Sequence, residues 1–78
     1  MIAKIVITES ALSFLDGLYP ITVTAKLKAG NDGNTYALVQ NAEFQKHDKT
    51  KDLAVIKKTE PQINWAFFPN EYNIVEVV

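Results

Sequence analysis

His47 is the single imidazole of the chain, and it stands between Lys46 and Asp48 with Asp52 close behind. A histidine oriented by a carboxylate is the smallest arrangement that can act as a general base. The surrounding residues argue for a plainer role. Residues 46–52 are wholly polar, so they offer no walls to exclude water and no nucleophile with a fixed partner. The expectation is a solvated histidine at a hairpin tip. Ser10 and Ser13 fit capping of a short turn better than acyl transfer, because serine hydroxyls compete readily for nearby backbone groups. Gly30-Asn31-Asp32-Gly33-Asn34 gathers oxygen ligands but contains one carboxylate, Asp32. Calcium takes about 6–8 oxygens and usually several carboxylates. A tight turn is the better reading, since Asp-Gly tolerates the positive φ such turns need. No Gly-Lys-Ser/Thr follows to make a phosphate cradle. Without cysteine there is no Cys-ligated metal and no Cys nucleophile. No cofactor is implied, and the expectation is a protein that is not an enzyme.

Non-covalent chemistry has more to work with. Lys46, Lys49, Lys51, Lys57 and Lys58 face only Asp48 and Asp52 within residues 46–58, a local balance of +3. Residues 60–78 hold three Glu and no Lys, and the whole chain sums to −1. A basic hairpin beside aromatics can track a single-stranded nucleic acid. Against that stand the slightly negative total and the absence of Arg for bidentate contacts. Lysines at strand edges also protect β proteins from aggregation. Nucleic-acid binding is therefore the alternative reading.

The C-terminal apolar residues carry the leading one. Trp65 and Phe67 share one strand face and Phe68 takes the other. The last strand has Val75 and Val77 on one side, Ile74 and Val78 on the other. A thin barrel cannot bury both faces of two strands, so part of this surface is expected to be exposed or covered by a partner. Trp65 is expected inward with Ile63 and Phe67, and Phe68 near the surface beside Tyr72.

These side chains need a scaffold. A chain of 78 residues holds one domain. It buries about 60–65% of its unfolded surface, so its core is thin. Residues 2–8 are rich in Ile and Val and read as a strand. Residues 10–18 read as a structured loop in which Ser10 caps a turn and Gly17 ends it. In residues 21–28, Ile21, Val23, Ala25 and Leu27 alternate with Thr and Lys, the period of a half-buried strand. The alternation resumes over 35–45, with Tyr36, Leu38, Gln40, Ala42 and Phe44 on one face, and reads as one long strand bent at Gln40-Asn41. Tyr36 and Phe44 are placed on its core face. Residues 53–58 and 63–68 read as strands separated by Pro61, Pro69 stops the second, and residues 74–78 form the last.

The segment from Trp65 to Val78 resembles the end of an SH3-like barrel, where an aromatic strand meets a Pro-x-x-Tyr turn and then a short apolar strand. Pro69 and Tyr72 occupy the turn positions. The resemblance implies a small barrel, and in SH3 domains such a Pro and Tyr line a groove for proline-rich peptides. The acidic, tyrosine-bearing motif near the start of SH3 domains is absent here.

The expectations are these. The chain is a single all-β domain, residues 1–78, built as a small SH3-like barrel or rolled antiparallel sheet of five to six short strands. It binds a protein partner, or itself as a homodimer, through Phe68, Pro69, Tyr72 and Ile74, as an adaptor or a small inhibitor. No signal peptide or span of about 20 apolar residues is present, so no membrane contact and a cytoplasmic location are expected.

Overall fold

The computed structural model describes residues 1–78. Five strands form one antiparallel sheet: β1 (Ile2–Ile7), β2 (Ile21–Ala29), β3 (Thr35–Gln40), β4 (Asn64–Phe67) and β5 (Tyr72–Val77), in the order β4-β3-β2-β1-β5. The sheet is not closed into a barrel; β4 and β5 are its two edges. Period two decides which side is buried. Ala3, Ile5 and Ile7 of β1 face inward opposite Ala25, Val23 and Ile21 of β2. Ala37 and Val39 of β3, Phe67 of β4 and Tyr72 of β5 complete the inner face, and Leu15, Phe44 and Ile56 join them in one core. No helix is long and apolar enough to cross a membrane.

The turn at residues 30–34 joins β2 to β3 as read from the sequence. Gly33 takes φ +84°, and Gly30 N–H donates to Asn34 O at 2.7 Å. The loop after β1 holds a 3₁₀ turn, Ser13–Leu15, and Gly17 ends it at φ +79°. A second 3₁₀ turn, Pro69–Glu71, joins β4 to β5. In the β1–β5 pairing the register shifts between Lys4 and Ile5, which leaves Val75 without a partner as a bulge.

Residues 41–58 depart from the all-strand reading. There is no long bent strand over 35–45: β3 stops at Gln40, and α1 (Asn41–Gln45) follows. Residues 46–52 are not a hairpin tip but turns leading into α2 (Ala54–Lys58), where a strand was expected. The reason is the spacing of buried residues. Asn41 and Phe44 are both buried three positions apart, one face of a helical turn. Half-buried Leu53 and buried Ile56 repeat that spacing. The core face of β3 is accordingly the opposite of the one expected. Ala37 and Val39 are buried, while Tyr36 and Leu38 stand half-buried on the outer side.

Five-residue helices are not stable alone, and side chains brace these two. Asn41 Nδ2 donates to Ile56 O and Thr59 O, both at 2.9 Å. Gln45 Nε2 reaches the same two carbonyls at 3.2 and 3.1 Å. Asn41 Oδ1 accepts from Trp65 Nε1 at 3.0 Å, and Thr50 Oγ1 donates to Phe44 O at 2.8 Å. Ile56 O, left open at the C-terminal end of α2, and Thr59 O just beyond the helix thereby gain donors.

Candidate interaction surface

His47, the carboxylates beside it and Ser10 are engaged in local contacts. His47 Nδ1 accepts a hydrogen bond from the Lys49 N–H at 3.2 Å. Asp48 pairs with Lys51 at 3.4 Å and Asp52 with Lys57 at 3.8 Å, so neither carboxylate orients the imidazole. Ser10 Oγ accepts from the Leu12 N–H at 3.0 Å, a local turn bond and not the cap read from the sequence, since Leu12 holds the N-cap position of the Ser13–Leu15 turn and no side chain caps it. No cluster of three or more His, Asp or Glu side chains could hold a metal ion.

Asp32 organises its turn. Its carboxylate accepts from the Asn34 N–H at 3.0 Å and from the Tyr36 hydroxyl. The Tyr36 hydroxyl, then the Asn34 N–H, hold Asp32 below the usual carboxylate range, and the same bond raises Tyr36. Gly30 lies directly under that ring: a Cβ there would sit 2.5 Å from Tyr36 Cε2. Any larger residue would push the ring away.

The five lysines of residues 46–58 are dispersed around two short helices. Lys46 pairs with Glu43 at 2.8 Å, Lys51 with Asp48 and Lys57 with Asp52, while Lys49 Nζ donates to Pro20 O at 2.7 Å. Lys58 is exposed and has no acidic partner. The structure does not bring the five together as one basic hairpin.

At the C-terminal end the proposed partner residues separate. Phe68 is 52% exposed and Pro69 is exposed. Ile74 is exposed as well. Tyr72 is not on that surface: it is 7% exposed, and its hydroxyl donates to Thr35 O at 2.8 Å. Its pairing with Ile7 puts it on the inner face of the sheet, where the β5 side chain nearest the core must lie. The aromatic neighbour of Phe68 is therefore Tyr36, edge-to-face at 5.4 Å, and not Tyr72. Trp65 does turn inward with Phe67, half-buried against Phe14 at 5.0 Å, but Ile63 is exposed.

Glu71, which the sequence did not single out, fixes this end. Its carboxylate accepts from the Phe68 N–H at 2.7 Å and the Ala11 N–H at 2.9 Å, and its carbonyl accepts from the Thr8 N–H at 2.8 Å. One side chain thus ties the 3₁₀ turn to the loop after β1. A buried acidic residue within a turn reads as surface in a sequence; the usable signal was a Glu two positions after Pro69, where a first-turn carboxylate can reach back to the N–H that precedes the turn.

The largest apolar exposure lies along β5. Every β5 residue after Tyr72 is exposed, with Ile74, Val75 and Val77 at 50, 56 and 60%. Met1 and Ile2 extend the patch, because the Val78 N–H donates to Ile2 O at 2.9 Å. Set against known protein families, curated proteins and solved structures, the chain matches none of them.

Proposed function

We propose that this chain is a non-enzymatic protein-binding module that docks through β5 and the adjoining start of β1. One observation carries the reading: Ile74, Val75 and Val77 are all at least half exposed along an edge strand. Apolar side chains clustered at a sheet edge gain by being covered, and partner surfaces are the usual cover. Burying the exposed half of Ile74 and of Val77 would contribute about 1 kcal/mol each.

The SH3-like resemblance supports a small β scaffold. The aromatic strand, the Pro69–Glu71 turn and a short apolar strand follow one another as the resemblance implies. It lends less to a proline-rich peptide groove, because Tyr72 turns its ring into the core. The partner is a second copy or a larger protein whose surface the module occupies.

The test uses the exposed bulge residue Val75 as a probe position. A photo-crosslinking amino acid there is expected to capture a second copy of the chain, or one discrete host protein. Ile74→Lys with Val77→Lys is expected to abolish that product while the circular dichroism spectrum stays the same. Crosslinks to neither, or products indifferent to the double substitution, would remove β5 as the docking surface.

A further inference from the structure

The outer face of the sheet carries a second surface of different chemistry. Strands β2 and β3 pair from Ala29–Thr35 only as far as Lys26–Leu38. Continued, the register would set Gln40 against Thr24, but the chain turns into α1 at Asn41 and the strands part. Glu43 Oε1 accepts the Thr24 N–H at 3.1 Å in place of the missing strand. The parting leaves a groove of about 560 Å³ whose lining includes Thr24, Lys26, Lys28, Leu38, Gln40 and Asn64.

The charge along this groove is positive although the chain sums to −1. Glu43 is neutralised by Lys46 at 2.8 Å, and Glu76 by Lys4 at 3.5 Å. Lys26 and Lys28 are exposed and have no acidic partner. Lys28 lies across from Tyr36, whose ring meets half-exposed Phe68 edge-to-face. The Tyr36 ring is braced on Gly30, and its hydroxyl is tied to Asp32. That acid marks the far end of the surface. Free lysines, amide side chains and an immobilised aromatic pair therefore succeed one another along β3, over about 13 Å from Gln40 to Tyr36.

We propose that this outer face, with Lys26, Lys28 and Phe68, is a short track for single-stranded nucleic acid. Lysines meet phosphates, aromatic faces stack bases without regard to sequence, and amides reach base edges. An acidic peptide would use the lysines and leave the aromatic pair idle; the adjacency of the two is what favours nucleobases. The lysines of 46–58 contribute little to this surface, since three of them are held by acids.

The experiment is fluorescence anisotropy of short, labelled, mixed-sequence DNA and RNA strands over a range of salt. Binding is expected at low salt, with a log–log salt slope of about −1.4 for two phosphate contacts on a single strand. Lys26→Gln with Lys28→Gln is expected to remove binding. Phe68→Ala should weaken binding about tenfold and leave the slope unchanged. Lys57→Gln with Lys58→Gln, and separately Ile74→Lys with Val77→Lys, should leave binding in place, the latter keeping this surface distinct from β5. Circular dichroism confirms the fold of each variant. Absence of binding at low salt overturns the proposal, as does binding that depends on Lys57 and Lys58. So does an oligo-glutamate peptide that binds as tightly and is indifferent to Phe68→Ala, which would make the groove a site for acidic proteins.

Discussion

Strands β1 and β2 and the segment from Asn41 to Thr59 feed the same core and are held by different means. In β1–β2, six consecutive residue pairs run in unbroken register, and the inward residues match in size: Ala3 with Ala25, Ile5 with Val23, Ile7 with Ile21. Backbone bonds supply the geometry, and the side chains need only be apolar on alternate positions. In the segment 41–59 the two helices are too short to sustain themselves. Their geometry comes from Asn41, Gln45 and Thr50, three polar side chains that cross from one piece to the next. A ladder spreads its stability over many equivalent bonds, whereas a polar brace concentrates it in a few atoms.

Phe44 ties the helical segment to the sheet, since α1 carries it and its ring faces Phe67 of β4 at 6.2 Å within the core that β1 and β2 also line. Phe44→Ala is expected to cost about 3–5 kcal/mol. A domain of this size has about 4–12 kcal/mol to lose. Far-ultraviolet dichroism and Trp65 fluorescence should report one coincident, much lower melting transition. A loss below about 1 kcal/mol would mean that the two regions are not joined through this ring.

Asn41→Ala sharpens the contrast. It leaves the buried Ile56 O and the half-buried Thr59 O with weaker partners and the Trp65 N–H without its acceptor, at a cost of about 3 kcal/mol. Native-state hydrogen exchange should show the amides of 42–59 opening more readily while those of β1 and β2 keep their protection. If the strand amides open equally with the helical ones, sheet and helices are a single cooperative unit and the contrast fails.

The smallest effect lies on the sheet side. Tyr72→Phe removes the hydroxyl bond to Thr35 O, worth about 1 kcal/mol. Burial raises the Tyr72 hydroxyl above its ordinary value of about 10. The unfolded chain therefore releases this proton first. The stability linked to the group is full below about pH 10 and is lost as pH rises above that, through the raised value of the folded hydroxyl. Denaturant midpoints measured across the alkaline range should fall less steeply for Tyr72→Phe than for the parent chain. Parallel curves would assign the alkaline loss to the other raised tyrosines, Tyr19 through burial and Tyr36 through its bond to Asp32.

The same contrast explains how much could be read from residues alone. Ile21 to Ala25 alternates so cleanly that its buried face followed from period two, while its pairing with β1 did not. The glycine-rich turn at 30–34 followed from its Asp-Gly chemistry. Residues 41–59 were misread because the signal there is an i, i+3 pair, and one member of the first pair is polar. Asn41 is fully buried, and a buried amide is indistinguishable in sequence from a solvated one until its partners are known. Phe44 satisfied a strand pattern and a helix pattern equally, and tertiary bonds chose the helix. At the surface, the two-sided apolar character of 74–78 was visible directly, and Ile74, Val75 and Val77 are exposed. Tyr72 was misplaced because the 3₁₀ turn and the bulge at Val75 set which side of β5 faces inward, and neither leaves a mark in composition. Lys26 and Lys28 read as the wet side of an ordinary strand; only the parting of β2 and β3 gives them a groove.

The pairing of β1 with β5 also orders events in time. Thr8 and Glu71, which meet where those strands begin to pair, are 63 positions apart in the sequence, whereas β2 and β3 are joined through residues 30–34. Closing the longer loop costs about 2 kcal/mol more in chain entropy. Hairpins form within microseconds, and distant pairings wait for them. Until β5 arrives, β1 has one bare edge, and Ile5 and Ile7 lack a cover on that side. The last strand to dock is also the one whose side chains remain uncovered afterwards, so for this sheet the search for its own final strand and the search for a partner draw on the same stretch of chain.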